Sequence, residues 1–230
     1  MLYTLESARA NVRNREGKRV FYLGENDRLT AAAREFLTGE KIDILPAEQA
    51  KPDGYVLLSG GVCREKPEHM THLNGNVLVS KTHPRIAFRG AMDTLEAELL
   101  LCQLEAEPKL RRELEEILTF ARHLLRNEVL NEPVAERPLC GLNEQQLRQH
   151  SHFPQDHYGQ PHFMPAASDG KCILQLNRAR CAARAAELQA VHAFTDREGN
   201  PTRVDLLRAM NRLSSMIYIL MIRQKANSTE

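Results

Sequence analysis

Gln175-Leu-Asn-Arg-Ala-Arg-Cys-Ala-Ala-Arg-Ala-Ala-Glu187-Leu-Gln-Ala-Val191 holds neither Gly nor Pro and is dominated by Ala and Leu. These residues lose little on entering a helix, so the stretch predicts a long one. Spacings of i, i+4 and i+7 put Arg180, Arg184 and Glu187 on a single stripe. Two guanidinium groups beside one carboxylate could hold a polyphosphate and its metal ion. The same stripe also reads as a solvated face with one Arg184–Glu187 pair, worth about 0.3 kcal/mol. Both readings stand on this stretch alone.

Working outward, the residues after Ile86 keep a helical character. Met92–Glu105 carries Met92, Leu95, Leu99 and Cys102 on one face. Pro108 suits a first helical position, and Lys109–Leu130 repeats Leu110, Leu114, Leu118, Ala121 and Leu125 until Pro133 and Pro138 stop it. Leu142–Gln149 reads as a shorter helix capped by Asn143. Ser151–Gly170 is a polar loop with three prolines, Lys171–Val191 the long helix above, and Asp196–Pro201 a turn. Thr202–Lys225 is a last long helix with Leu206, Met210, Leu213, Ile217 and Leu220 in register, after which Ala226–Glu230 is expected to fray. This run of helices indicates a helical bundle.

The first 65 residues differ. A short leading helix or arm precedes Arg19–Gly24, a buried strand. Thr30 caps a helix over Ala31–Leu37, and Lys41–Leu45 and Tyr55–Leu58 read as further strands. Pro46, Pro52, Gly60 and Gly61 set this α+β unit apart from residues 66–230. Glu65–Arg85 is loop-like, with a short strand at Val77–Val79.

Composition narrows the function classes. Hydrophobic residues are 42% and charged residues 27%, which suits a soluble globular chain long enough for one good core. With 31 basic and 30 acidic residues there is no general basic field for nucleic acid. Five scattered cysteines without a C-x-x-C pair argue against a disulfide framework or a four-thiolate zinc site, and for a reducing cytoplasm. Charge from Glu6 and Arg9 onward leaves no signal peptide in view, and the longest apolar run, Met216–Ile222, is too short to span a bilayer.

Three other clusters carry possible chemistry. Lys81-Thr-His-Pro-Arg85-Ile-Ala-Phe-Arg89-Gly-Ala-Met-Asp93 is a cationic loop feeding a helix start, where phosphate groups bind well; it is also an ordinary basic loop, and it is not a P-loop. Asn211-Arg-Leu-Ser214-Ser215 places polar groups mid-helix, facing either a ligand or a neighbouring helix. His150, His152, His157 and His162 crowd one loop, which fits a structured loop or ligand lid better than a metal set. No nucleophile elbow or catalytic triad is legible.

Taken together, these motifs resemble the cobalamin adenosyltransferases, most closely their ethanolamine-utilisation branch. Lys81-x-x-Pro84-Arg85-Ile86 with Gly90 and Asp93 is similar to the family's nucleotide loop and first helix. Arg180-x-x-x-Arg184-x-x-Glu187 is similar to the Arg/Arg/Glu stripe of the larger family with its propanediol-utilisation enzymes. Asn211-Arg-Leu-Ser214 resembles its last-helix signature. Arg28–Leu37, Met70–Leu73 and His162–Gly170 resemble features of the ethanolamine branch.

The resemblance implies a mainly α fold, a five-helix up-down bundle with the small N-terminal α+β unit as a possible docking element. It implies a homotrimer with ATP between subunits, and transfer of the 5′-deoxyadenosyl group to the cobalt of reduced cobalamin with release of triphosphate. Lys81, Arg85, Arg180, Arg184, Glu187 and Asn211 would contact ATP, with Glu187 helping to place Mg²⁺. Arg180, Arg184 and Asp93 would be catalytic, Asp93 pairing with an Arg such as Arg180 across the subunit boundary. His162, Phe163 and Met164 would face cobalamin; His162 stands where the larger family has a Phe that displaces the lower cobalt ligand. Only Cys63 lies where some relatives carry a Cys-rich metal motif, so no Cys-ligated metal is expected. Implied partners are a cobalamin reductase and ethanolamine ammonia-lyase or microcompartment proteins, in the cytoplasm or at a bacterial microcompartment, with no nucleic acid or membrane. The rival reading is a non-catalytic corrinoid- or nucleotide-binding protein, or a microcompartment scaffold, of the same fold.

Overall fold

The computed structural model describes residues 1–15, 17–47 and 54–228. Pro52, one of the separators read above, and the final Thr229 and Glu230 lie outside the described residues. The chain divides into two compact units, Met1–His83 and Pro84–Glu230.

The first unit begins with β1 (Leu2–Tyr3), α1 (Leu5–Ala10), β2 (Arg13–Arg15), β3 (Lys18–Leu23), β4 (Arg28–Leu29), α2 (Ala31–Gly39) and β5 (Asp43–Pro46). Thr30 caps α2, its hydroxyl accepting from the Ala33 amide at 3.3 Å. Strand β3 lies between antiparallel β2 and parallel β5. Phe21 of β3 is buried with Ala8 of α1 and Ala33 and Leu37 of α2, so both helices cover one side of that sheet.

A second sheet follows, in the order β7-β6-β9-β8, from β6 (Tyr55–Leu57), β7 (Val62–Cys63), β8 (Met70–Asn74) and β9 (Val77–Ser80). Residues 70–74, expected to be loop, pair antiparallel with β9 through a Gly75-Asn76 turn in which Gly75 takes φ +50°. Gly-Asn between two strands is a hairpin signal, but His72 and Asn74 break the apolar alternation that would mark the first strand. Residues 70–74 and 77–80, from the span grouped with the helical part on the sequence, supply two of the four strands of this sheet.

The second unit is helical: α3 (Pro84–Leu104), α4 (Pro108–Leu130), α5 (Glu144–His152), α6 (Pro154–Tyr158), α7 (Gly170–Ala193) and α8 (Val204–Asn227). The expected stripes are largely the buried ones: Met92, Leu95, Leu99 and Cys102 on α3, Leu110, Leu114, Leu118 and Ala121 on α4, where Leu125 is only partly buried and Leu124 takes the core position, and Leu206, Met210, Leu213, Ile217 and Leu220 on α8. Helix α4 ends on Asn131 in the left-handed region (φ +54°), ahead of the prolines expected to stop it. Asn143 and Gln146 form a reciprocal capping box on α5. Residues 151–170 are not all loop, since the end of α5, the short α6 and a 3-10 turn at Ala167–Asp169 interrupt them.

Helix α7 lies between α3 and α8. Its buried stripe is mostly alanine: Ala179, Ala183, Ala186 and Ala190 follow Ile173 and Leu176. Such short side chains allow close approach of helix axes. Rotated one residue from that stripe, Arg180, Arg184 and Glu187 fall at the edge of the α7–α8 seam rather than within it.

Candidate functional site

The α7 stripe faces a cleft. Arg180 and Arg184 line it with Ser214, Ser215 and Tyr218 of α8 and Ser151 of α5, around an open volume of about 200 Å³. Glu187 sits one turn on, where Asn211 Nδ2 donates to its Oε1 at 2.9 Å and the Ser214 hydroxyl to its Oε2 at 3.3 Å. The mid-helix Asn and Ser of α8 thus bind a carboxylate on the neighbouring helix. The Arg184–Glu187 pair of the solvated-face reading does not form.

Arg184 is exposed, and among the described residues no side chain pairs with it. Arg180 is half-buried; its Nε and Nη2 both reach Asn177 Oδ1 at 3.3 Å, and its guanidinium lies 5.7 Å from the centre of the Tyr218 ring. Neither arginine has a carboxylate partner among the described residues. Two guanidinium groups on successive turns, compensated only by an amide oxygen and a ring face, make a site with excess positive charge. Such a site suits an anion with several oxygens.

Tyr218 was not singled out from the sequence, although it lies seven residues beyond Asn211 and four beyond Ser214, on the same helix face. Burial raises its phenol pKa, against the lowering effect of the Arg180 charge, so it remains a neutral donor. Its hydroxyl meets His162 Nδ1 at 2.6 Å, with the two rings only 14° from parallel. His162 Nε2 faces the His152 carbonyl at 3.2 Å. In a neutral imidazole Nε2 must then carry the proton, and Nδ1 accepts from Tyr218.

The neighbours of His162 diverge. Phe163 packs against the helical core, with Lys225 Nζ 5.8 Å from its ring centre, whereas Met164 is 89% exposed. Asp169 anchors the far end of this segment: it accepts from the Ala166 amide at 2.7 Å and from Lys225 Nζ at 2.6 Å. The Lys225 hydrogen bond and then the Ala166 amide hold its carboxyl below the usual range.

The other histidines organise the same region. His150 Nδ1 meets the Tyr158 hydroxyl at 2.7 Å, and its ring stacks on His157 with centroids 3.7 Å apart. Burial, then the nearby His157, lowers the His150 pKa. Among the described residues, no three His, Cys, Asp or Glu side chains gather as a metal ligand set. Burial also pushes the thiols of Cys102 and Cys140 up to about 12, which leaves them protonated and poor nucleophiles.

The cationic segment 81–93 runs from the end of the first unit into the second. Lys81 belongs to the first unit; it is exposed, and its amide donates to the His69 carbonyl at 2.9 Å. Arg85, at the start of α3, pairs through Nε with Glu128 of α4, and its Nη2 reaches the Glu128 carbonyl at 2.9 Å. Arg89 Nε meets the other carboxylate oxygen at 2.7 Å. Glu128 is fully buried, the one charged side chain so placed among the described residues. Arg85 is therefore tied into a buried ion triad inside the subunit. Glu128 escaped the sequence reading because its position continues the apolar stripe of α4 with a charged residue. Asp93 is exposed on α3, with no partner among the described residues.

Fold and cleft together define a class of protein. Residues 62–224 match the cobalamin adenosyltransferase family, and the chain belongs to that family, whose members are transferases. It is 31% identical to the corrinoid adenosyltransferase EutT of Salmonella typhimurium, covering 93% of this chain and 88% of the relative. It is 30% identical to EutT of Escherichia coli, with the same coverage. Among solved structures it is similar to a variant PduO-type ATP:corrinoid adenosyltransferase from Lactobacillus reuteri complexed with cobalamin and ATP. That likeness has a TM-score of 0.52 and 22% identity, covering 70% of this chain and 91% of the other. Among the described residues no helix is long and apolar enough to cross a membrane.

Proposed function

We propose that this protein is an ATP:cob(I)alamin adenosyltransferase that supplies adenosylcobalamin to ethanolamine ammonia-lyase. The observation that carries this reading is the α7–α8 cleft, in which Arg180 and Arg184 have no carboxylate partner among the described residues beside an oriented Glu187, in a member of this family.

The reaction needs little acid–base chemistry. The electron pair of cobalt(I) forms the bond to C5′ of ATP, the C5′–O bond breaks, and triphosphate leaves with that bond's pair. The protein's work is to align cobalt with C5′ and to stabilise the charge of the leaving group. Arg180 and Arg184 supply cations for the phosphate oxygens, with Lys81 and Arg85 as further candidates. Arg85 contributes only by sharing or leaving Glu128.

Glu187 fits Mg²⁺: it is a half-buried carboxylate held by two neutral donors, with no cation pairing among the described residues. One protein carboxylate suits an ion that takes its other ligands from phosphate and water. Mg²⁺ bound there would neutralise part of the triphosphate charge. Asn211 orients Glu187 and offers its amide edge to the nucleoside. His162 and Phe163 would line the approach of the corrin and keep it dry.

We assign the five bundle helices to α3, α4, α5, α7 and α8, in an up-down arrangement. A homotrimer with ATP between subunits would bring Asp93 of one subunit to an arginine of the next. Exposed Leu100, Leu101 and Leu104 at the end of α3, Leu104 at 73%, support burial of that face against a second copy. A cytoplasmic setting beside a microcompartment and a separate cobalamin reductase complete the reading.

The test is direct. Protein, Mg-ATP and chemically reduced cobalamin should yield a light-sensitive alkylcobalamin spectrum and one triphosphate per cobalamin. Tight binding of both ligands without either product would favour the non-catalytic carrier.

A further inference from the structure

We propose that Tyr218 is a positioning residue that ties the phosphate end of the cleft to the segment carrying His162. This rests on the adenosyltransferase reading of the same cleft. Tyr218 touches both ends: the Arg180 guanidinium lies 5.7 Å from its ring centre, and its hydroxyl bonds His162 Nδ1 at 2.6 Å.

The two contacts are separable in chemistry. The ring face attracts the Arg180 cation through its quadrupole, and a phenylalanine ring would do so as well. The hydroxyl fixes His162, whose second nitrogen is already committed to the His152 carbonyl. Among the described residues His162 therefore has a single side-chain anchor, and that anchor stands on the helix that also carries Asn211 and Ser214. Among the described residues Arg180 is otherwise satisfied only by Asn177 at 3.3 Å, so an arriving phosphate competes with weak contacts and draws the guanidinium from the ring. Filling the anion site then changes the charge over the ring that holds His162. Loading of the nucleotide is thereby felt where the corrin approaches, without any movement of the helices.

Two substitutions divide these roles. Tyr218→Phe keeps the ring and loses the hydroxyl: kcat should fall about 10-fold while the KM for ATP stays within about 2-fold. Tyr218→Leu loses both, and the KM for ATP should also rise, by about 5-fold. If the hydroxyl acts through His162, the double variant Tyr218→Phe/His162→Ala should be no slower than His162→Ala alone. Losses that multiply in the double variant, or an unchanged kcat in Tyr218→Phe, overturn the proposal.

A reading free of turnover comes from amide hydrogen exchange over residues 160–166 of the full-length protein. Tyr218→Phe should raise it, and added tripolyphosphate should alter it in the wild type but not in that variant. Equal exchange in wild type and Tyr218→Phe overturns the tie. Faster exchange in the variant, with a wild type that never forms alkylcobalamin, upholds the tie and removes the proposed reaction.

Discussion

Replacing Glu128 with Gln should destabilise the helical unit more than any surface change in the cleft. Glu128 is fully buried, while the Arg85 and Arg89 side chains that meet it are 21% and 18% exposed. Gln preserves volume but removes the charge that compensates two guanidinium groups, and it turns an NH₂ toward one of them. Removing one partner of a buried ion pair costs about 3–5 kcal/mol, because the remaining charge stays desolvated. Both arginines reach some water, so the lower end, about 3 kcal/mol, is expected here. For a domain of this size the melting temperature should then drop by about 6–12 °C. Chemical denaturation followed by far-ultraviolet circular dichroism measures the difference directly. An apolar replacement of the whole triad, Arg85→Met/Glu128→Leu/Arg89→Met, should recover most of the loss, since no charge is left stranded. Glu128→Gln unfolding within about 1 kcal/mol of wild type would refute the buried triad.

The remaining expectations concern the cleft and its surroundings. Arg184→Ala should lower kcat/KM for ATP by about 10- to 100-fold, as for one lost charged contact, with an unaltered melting curve; near-normal turnover removes the residue from the phosphate site. Asp93→Ala should weaken both self-association and activity, checked by sizing chromatography beside the adenosylation assay; an intact, active trimer counts against the proposed contact between subunits. Because the folded His150 has a lowered pKa, the unfolded chain takes up this proton first, so stability is lost as pH falls below 6.5. The loss in denaturation midpoint between pH 7 and 5.5 should be smaller in His150→Gln, and an equal loss in both refutes the assignment.

The sequence alone determined what depends on local periodicity. The apolar repeats of α3, α4 and α8 are the buried faces because a helix carries its pattern with it at 100° per residue. Thr30 and Asn143 cap where their short polar side chains predict, and Arg180, Arg184 and Glu187 share one stripe for the same local reason. Strand β8 was less legible, since two polar residues interrupt its alternation and only pairing with β9 makes it a strand. Tertiary structure decided which groups meet across elements. That Glu187 is held by Asn211 and Ser214 rather than by Arg184, that Arg85 turns to Glu128, and that Tyr218 holds His162, 56 residues away, are facts of helix rotation and loop path. Spacing along one chain limits which side chains can share a helix face. The neighbour that face receives is chosen by the packing of the whole core, which no local pattern encodes.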